Sequence, residues 1–318
     1  MRSKLSQISI YLKNTRTIEG YFKNLIFANL KNYPIEMAED TQQILTRNTI
    51  DIHFDSISGF EMCIDTSCGI IHTSFRSLEI IHALAYAHFL IYEEIKATGI
   101  SNVNIDPELN ENVKRAEILV MWARDSSYPR SCEDPLNSPY YPDNLHKFFK
   151  DDKELKFADD LWGLVISGII YHEIAHKINN DICSVTAEMQ RKREFKADEW
   201  MYERILNGIT FESNEEQFIL RTMGITSSLG ILAAFDVSKE ASGISTHPNI
   251  AERLLAFFNK YVPESDPAKP SELAYIMAIA TLQTHFPFAE QKKMLLKDSY
   301  ADFREYLQHV SEILKGSF

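Results

Sequence analysis

Apolar residues recur at helical spacing along most of this chain. Ile18, Phe22, Leu25, Ile26 and Leu30 fall on one face of a predicted helix over 17–31. The same periodicity predicts helices over about 77–97, 110–124, 157–179, 186–207, 215–236, 248–260, 271–284 and 290–315. The period changes between the first two of these helices. Residues 50–54 and 60–73 contain short alternating or β-branched runs, separated by Ser58-Gly59 and broken near Gly69, which predict a hairpin or small sheet. The fold class expected is therefore mainly α (α+β), with a small N-terminal β element and a helical core. Pro129, Pro135, Pro139 and Pro142 crowd the stretch from Tyr128 to Pro142, a candidate boundary or lid. The chain reads as a single domain over 1–318, divisible into an N-terminal lobe over 1–145 and a helical core over 156–318. There is no internal repeat and no low-complexity tract.

The most apolar stretch is Leu161, Trp162, Leu164, Val165, Ile166, Ile169 and Ile170, running through Tyr171 into His172. At about eleven residues it is short of the roughly twenty that cross a bilayer, and Asp159, Asp160 and Glu173 flank it. It reads as core. The other apolar stretch, Leu78 to Tyr92, carries Glu79, His82 and His88, so no membrane span is expected.

Composition narrows the classes of function. With 318 residues and 45% hydrophobic content, the chain can bury a substantial core. Eleven Gly and eleven Pro leave little room for long flexible linkers. A formal charge of −12, from 33 basic and 45 acidic residues, argues against a nonspecific nucleic-acid binder and directs attention to protein partners. The opening Met-Arg-Ser-Lys-Leu-Ser-Gln has charge but no apolar segment of signal-peptide type, so a cytoplasmic location is expected. Cys63, Cys68, Cys132 and Cys183 make no metal-ligand pairing, and reduced thiols are the default.

Residues 172–176 read His-Glu-Ile-Ala-His. On a helix, His172 and His176 lie one turn apart on one face, where two imidazoles can reach one metal ion. Glu173 beside them can take a proton from a water held by that ion. Downstream, Glu194 and Asp198 stand at i and i+4 on a second predicted helix whose apolar positions are Met189, Phe195, Ala197, Met201, Ile205 and Leu206. Arg191, Lys192, Arg193 and Lys196 surround them, so a solvated helix face is the bland alternative. Two His, one Glu and an open fourth position describe a catalytic rather than a structural metal site. Asp198 then has a separate task, accepting the second ring N–H of a ligating histidine. A third element, Ser245-Thr246-His247-Pro248 followed by Glu252-Arg253, places Pro248 in the first turn of a helix with Thr246 or His247 before it. His247 is a candidate donor to a tetrahedral oxyanion, and otherwise an ordinary loop residue.

Other polar residues take structural readings. His82 and His88 fit packing or capping roles on an apolar helix, His72 stays undecided, and Trp122 fits packing. Arg253 reads as a structural ion-pair partner of Glu252 or of an upstream carboxylate.

The order His172-Glu173-Ile174-Ala175-His176, then Glu194 with Ala197-Asp198, then Thr246-His247-Pro248 with Glu252-Arg253, resembles the gluzincin metallopeptidases. Within that group the chain resembles the Lit peptidase family of phage-exclusion proteins. Ser77-Leu78-Glu79 and Trp122-Ala123-Arg124 extend the likeness to roughly residues 75–260. The resemblance implies a zincin-like metallopeptidase with Zn²⁺ on His172, His176 and Glu194, Glu173 as general base, and Asp198 and His247 in support. It further implies a cytoplasmic endopeptidase that cleaves a translation elongation factor of the Tu type after sensing a phage protein or peptide, in abortive infection. Zinc peptidases commonly hold substrate as an added strand beside the metal helix, and Ile70–Thr73 is the candidate edge. The alternatives are a non-catalytic protein in which the metal only staples two helices, a sensor that does not cut, and a housekeeping gluzincin peptidase.

Overall fold

The computed structural model describes residues 23–24, 26–28, 30, 38–55, 60–98, 110–127, 152–181, 186–236, 247–262 and 303–316. Its elements are α1 (Ala38–Arg47), β1 (Asp51–Phe54), β2 (Met62–Asp65), β3 (Ile70–Thr73), α2 (Phe75–Thr98), α3 (Glu111–Ser127), α4 (Asp152–Ile178), α5 (Ala187–Leu206), α6 (Glu215–Asp236), α7 (Ile250–Tyr261) and α8 (Phe303–Gly316). The fold is mainly helical with one small sheet, as the periodicity predicts. The Tyr128–Pro142 loop, the helix predicted over 271–284, the first part of that over 290–315 and most of that over 17–31 lie outside the described residues.

At the centre is α4, packed against α2, α5 and α6. A helix that is apolar all round must be enclosed, and α4 is apolar on every face from Leu161 to Ile170. Leu161, Trp162, Val165, Ile166, Ile169, Ile170 and Ile174 are all buried, and each such side chain taken from water contributes about 1.5–3 kcal/mol. Its close approach to α6 depends on glycine. A Cβ at Gly224 would stand 2.8 Å from Leu164 Cβ, and one at Gly168 would strike Ser228 Oγ. At that crossing Ser228 Oγ donates to the carbonyls of Gly224 and Val165, at 2.8 and 3.1 Å. Deeper along α4, Tyr171 OH donates to Leu30 O at 2.8 Å, tying the N-terminal helical residues to the same core.

The sheet has the order β1-β3-β2. β1 runs parallel to β3 (His53↔His72), and β2 is antiparallel to it (Cys63↔His72). One expectation holds here and one changes. The predicted hairpin or small sheet is a three-stranded sheet, in which β2 and β3 form the hairpin and β1 joins in parallel through a longer connection. Ile70–Thr73 is the central strand, with both edges already paired, so it cannot be the edge that receives a substrate. The outer strands are β1 and β2, and β2 packs against α4. The β2–β3 turn closes at Gly69, whose φ of 83° favours a residue without a Cβ.

Helix ends are set by local chemistry. α5 starts at N-cap Thr186, whose side chain accepts from Met189 N. α7 starts later than Pro248 suggests. Asn249 accepts from Glu252 N at 3.0 Å while Glu252 accepts from Asn249 N at 3.0 Å, a reciprocal capping box that leaves Pro248 outside the helix. On α5, Met189 is 49% exposed instead of inward-facing, since it sits in the first turn beyond the core. No helix among the described residues is long and apolar enough to cross a membrane.

Candidate metal centre

His172 and His176 project from one face of α4 with their Nε2 atoms 3.2 Å apart. α5 brings Glu194 against both. Its Oε2 lies 3.2 Å from His172 Nε2, and its Oε1 lies 3.6 Å from His176 Nε2. One ligand atom from each of the three lies within 4.8 Å of the others. The solvated reading of the α5 carboxylates fails, because Glu194 is 3% exposed and Asp198 is fully buried. Helical spacing explains this: Ala197, Met201 and Ile205 share the inward stripe and carry the two acids into the core with them.

Buried carboxylates require partners. Arg253, fully buried on α7, supplies both: its Nε donates to Asp198 Oδ2 at 2.9 Å and an Nη to Glu194 Oε2 at 3.1 Å. The upstream-carboxylate reading of Arg253 is the one observed, and Glu252 pairs with Arg191 instead, at 2.6 Å. Gln190 Nε2 donates to Glu194 Oε1 at 3.1 Å. His247 Nε2 stands 3.3 Å from that same oxygen, half-buried at the margin of the cluster. Burial alone would raise the Glu194 carboxyl, but His172, His247 and Arg253 outweigh it and hold it well below the usual carboxylate range. Burial would likewise lower the His172 imidazole, yet Asp198 and Glu194 together push it up to about 10.

Both effects report one demand, for positive charge among these donors. His176 Nδ1 faces Asp181 Oδ2 and His172 Nδ1 faces Asp198 Oδ1, each at 2.9 Å. His176 Nδ1 makes a hydrogen bond to Asp181 Oδ2, and a carboxylate only accepts, so this Nδ1 is the protonated nitrogen and His176 Nε2 presents its lone pair inward. Two imidazole Nε2 atoms and a carboxylate converge on one point, where a divalent cation can balance the charge that a proton on His172 otherwise balances. Two nitrogens and one oxygen suit a borderline-soft divalent ion, so the residues present fit a metal.

Glu173 is buried beside the pair, and its Oε2 accepts the backbone N–H of Ile64, on β2, at 3.0 Å. No local pattern points to this link, because it joins positions far apart in the chain. Asp181 was also missed. The only signal for it was an acid five residues after His176, at the end of the predicted helix, and that spacing belongs to no motif. Among the other polar residues, His72 Nδ1 pairs with Asp55 at 2.9 Å, His88 Nδ1 with Ser227 Oγ at 3.1 Å, and Trp122 is buried beneath the Arg76 guanidinium. His82 is buried beside Trp162, remote in sequence from His172 and His176 and 3.8 Å from Asp159.

The family described as Peptidase U49 matches residues 71–274, more than half of the chain and every element that carries the cluster. No curated protein and no solved structure matches. With the match spanning α4, α5 and α7 and the three metal-fitting side chains inside it, the chain belongs to the Peptidase U49 family.

Proposed function

We propose that this peptidase is a zinc-dependent endopeptidase of gluzincin type, with the ion held by His172, His176 and Glu194. The observation that carries the proposal is the convergence of these three donors beside a buried carboxylate, Glu173. When bound, the ion supplies Lewis acidity, polarising the scissile carbonyl and lowering the pKa of a water toward about 7. Glu173 takes a proton from the attacking water and passes it to the leaving amine. Its other oxygen is held by Ile64 N–H, which fixes the carboxylate against the edge strand. Asp198 and Arg253 hold His172 and Glu194 in place. His247, at the margin of the cluster, donates to the developing oxyanion. β2 has a strand on one side only and lies against α4, so it is the edge on which an extended substrate adds its own main-chain hydrogen bonds.

The substrate in this reading is a cytoplasmic protein, a Tu-type elongation factor, and the setting is phage exclusion. Support comes from the family membership and from the acidic net charge, which disfavours nucleic acid as the partner. A cytoplasmic peptidase must be idle until needed, so a phage-derived protein or peptide favours the cutting-competent state over the idle one. The test combines metal analysis with cleavage. Purified chain and its Glu173→Gln variant are incubated with elongation factor Tu, with and without lysate of infected cells. Equal zinc in both, with cleavage only by the parent and only with lysate, is the expected result. Zinc without any cleavage under any condition would leave a metal-stapled binding protein, and trigger-free cleavage of unfolded proteins would leave a housekeeping peptidase.

A further inference from the structure

The two histidines of the cluster are held by carboxylates of different quality. His172 Nδ1 comes within 2.9 Å of Asp198 Oδ1, but the ring N–H is out of line with that oxygen and makes no hydrogen bond to it. His176 Nδ1 makes a true hydrogen bond of 2.9 Å to Asp181 Oδ2. Asp181 lies just past the end of α4, where the chain turns through Asn180 at a φ of 51° and Asp181 N donates back to His176 O at 3.0 Å. That reversal is what aims the carboxylate at the ring.

Three further contacts fix the residue. Arg193 Nε, from α5, lies 3.2 Å from Asp181 Oδ1. Thr66 Oγ1, in the β2–β3 turn, donates to Asp181 O at 3.2 Å. Lys177 Nζ donates to the Thr66 and Ser67 carbonyls at 2.7 and 3.0 Å, strapping that turn to the same helix end. An aspartate at a helix C-terminus meets the negative end of the helix dipole, a location that ordinarily disfavours it. Here it is 12% exposed and shared between an imidazole and a guanidinium, so the position serves the ring and not the helix.

We infer that Asp181 is a positioning residue for His176, anchored by Arg193, and this inference rests on the metal reading above. Asp181 selects the Nδ1–H tautomer, orients the ring and raises the basicity of Nε2. His172 and His176 are thus each paired with an aspartate, and each aspartate with its own arginine, Arg253 for Asp198 and Arg193 for Asp181.

The test uses the full chain and zinc alone as probe. Zinc dissociation constants are measured by competition with a chromophoric chelator for the parent, Asp181→Ala and Asp181→Asn. The ring tautomers of the metal-free proteins are read by nitrogen NMR of labelled histidine. Zinc affinity should fall about 100-fold in Asp181→Ala and about 10-fold in Asp181→Asn, the range expected for loss of an outer carboxylate. His176 should become a tautomer mixture while His172 stays unchanged. A merely structural aspartate would lower the melting temperature and leave the folded protein's zinc affinity and tautomers unaltered. Affinity within twofold of the parent in both variants would overturn the inference, and the Asn variant alone decides if the Ala variant does not fold. A parent chain that takes up no zinc would overturn the metal reading itself, and this inference with it.

Discussion

Ile64 donates its backbone N–H to Glu173 Oε2 at 3.0 Å, across 109 positions of sequence. Glu173 is therefore fastened to β2, an outer strand of the sheet. Because Glu173 touches β2 and none of the three donors depends on it, Glu173→Gln should retain full zinc while cleavage falls by about 10²–10⁴. Metal analysis beside a cleavage assay checks this, and loss of zinc in the variant would move Glu173 into the ligand set.

Replacing His172, His176 or Glu194 by Ala should each abolish stoichiometric zinc, since three protein donors are the minimum for a catalytic site. Asp198→Asn should be milder, weakening zinc roughly 10- to 100-fold. Elemental analysis after dialysis separates the two classes. Undiminished zinc in Glu194→Ala would end the gluzincin assignment.

His247→Ala should keep zinc and lower kcat by about 10²–10³, with little change in KM, if the ring acts on the oxyanion. The structure offers a competing partner, Glu194 Oε1 at 3.3 Å. A variant with normal kcat but weaker zinc would assign His247 to that carboxylate alone.

Arg253→Met removes the cation that Asp198 and Glu194 share. Leaving buried carboxylates unpaired costs about 3–5 kcal/mol. Urea unfolding of the metal-free protein should show a loss of that size, and a loss below about 1 kcal/mol would mean that the pair was never desolvated.

Burial pushes the Glu79 carboxyl up to about 7, against the pull of Arg76 at 3.1 Å. Its ordinary value, retained on unfolding, is 4.5. Between these two values the folded chain holds a proton that the unfolded chain has released. Stability from this group is therefore fully present below about pH 4.5 and declines as pH rises through 7. Glu79→Gln should flatten that decline and gain up to about 3 kcal/mol at pH 8 relative to the parent. Thermal melts across this range measure it, and parallel profiles for the two proteins would refute it.

The helices were legible because their periods are strong, and α6 falls at the residues its pattern predicts, Glu215–Asp236. The histidine pair and Glu194 were legible as well, since i,i+4 spacing is a local property. What could not be read was long-range. The parallel pairing of β1 with β3, the outer place of β2 and the Ile64–Glu173 bond depend on tertiary packing, to which a strand period is blind. At the start of α7, Pro248 is the louder sequence signal, but Asn249 with Glu252 three residues on is the stronger physical one and forms the cap. Arg253 was readable as an ion-pair partner but not as the residue joining two acids of α5.

Arg253 also gives the cluster a direction in time. A ribosome releases Glu194 and Asp198 well before it adds Arg253, which follows them by 59 and 55 residues. Until that arginine arrives, the two acids have His172 of α4 but not the guanidinium to balance them, and seating α5 against α4 meets greater resistance than in the finished protein. Completion of the site is thereby deferred to a late stage of translation, and a nascent chain that stalls before α7 stays without its balanced centre.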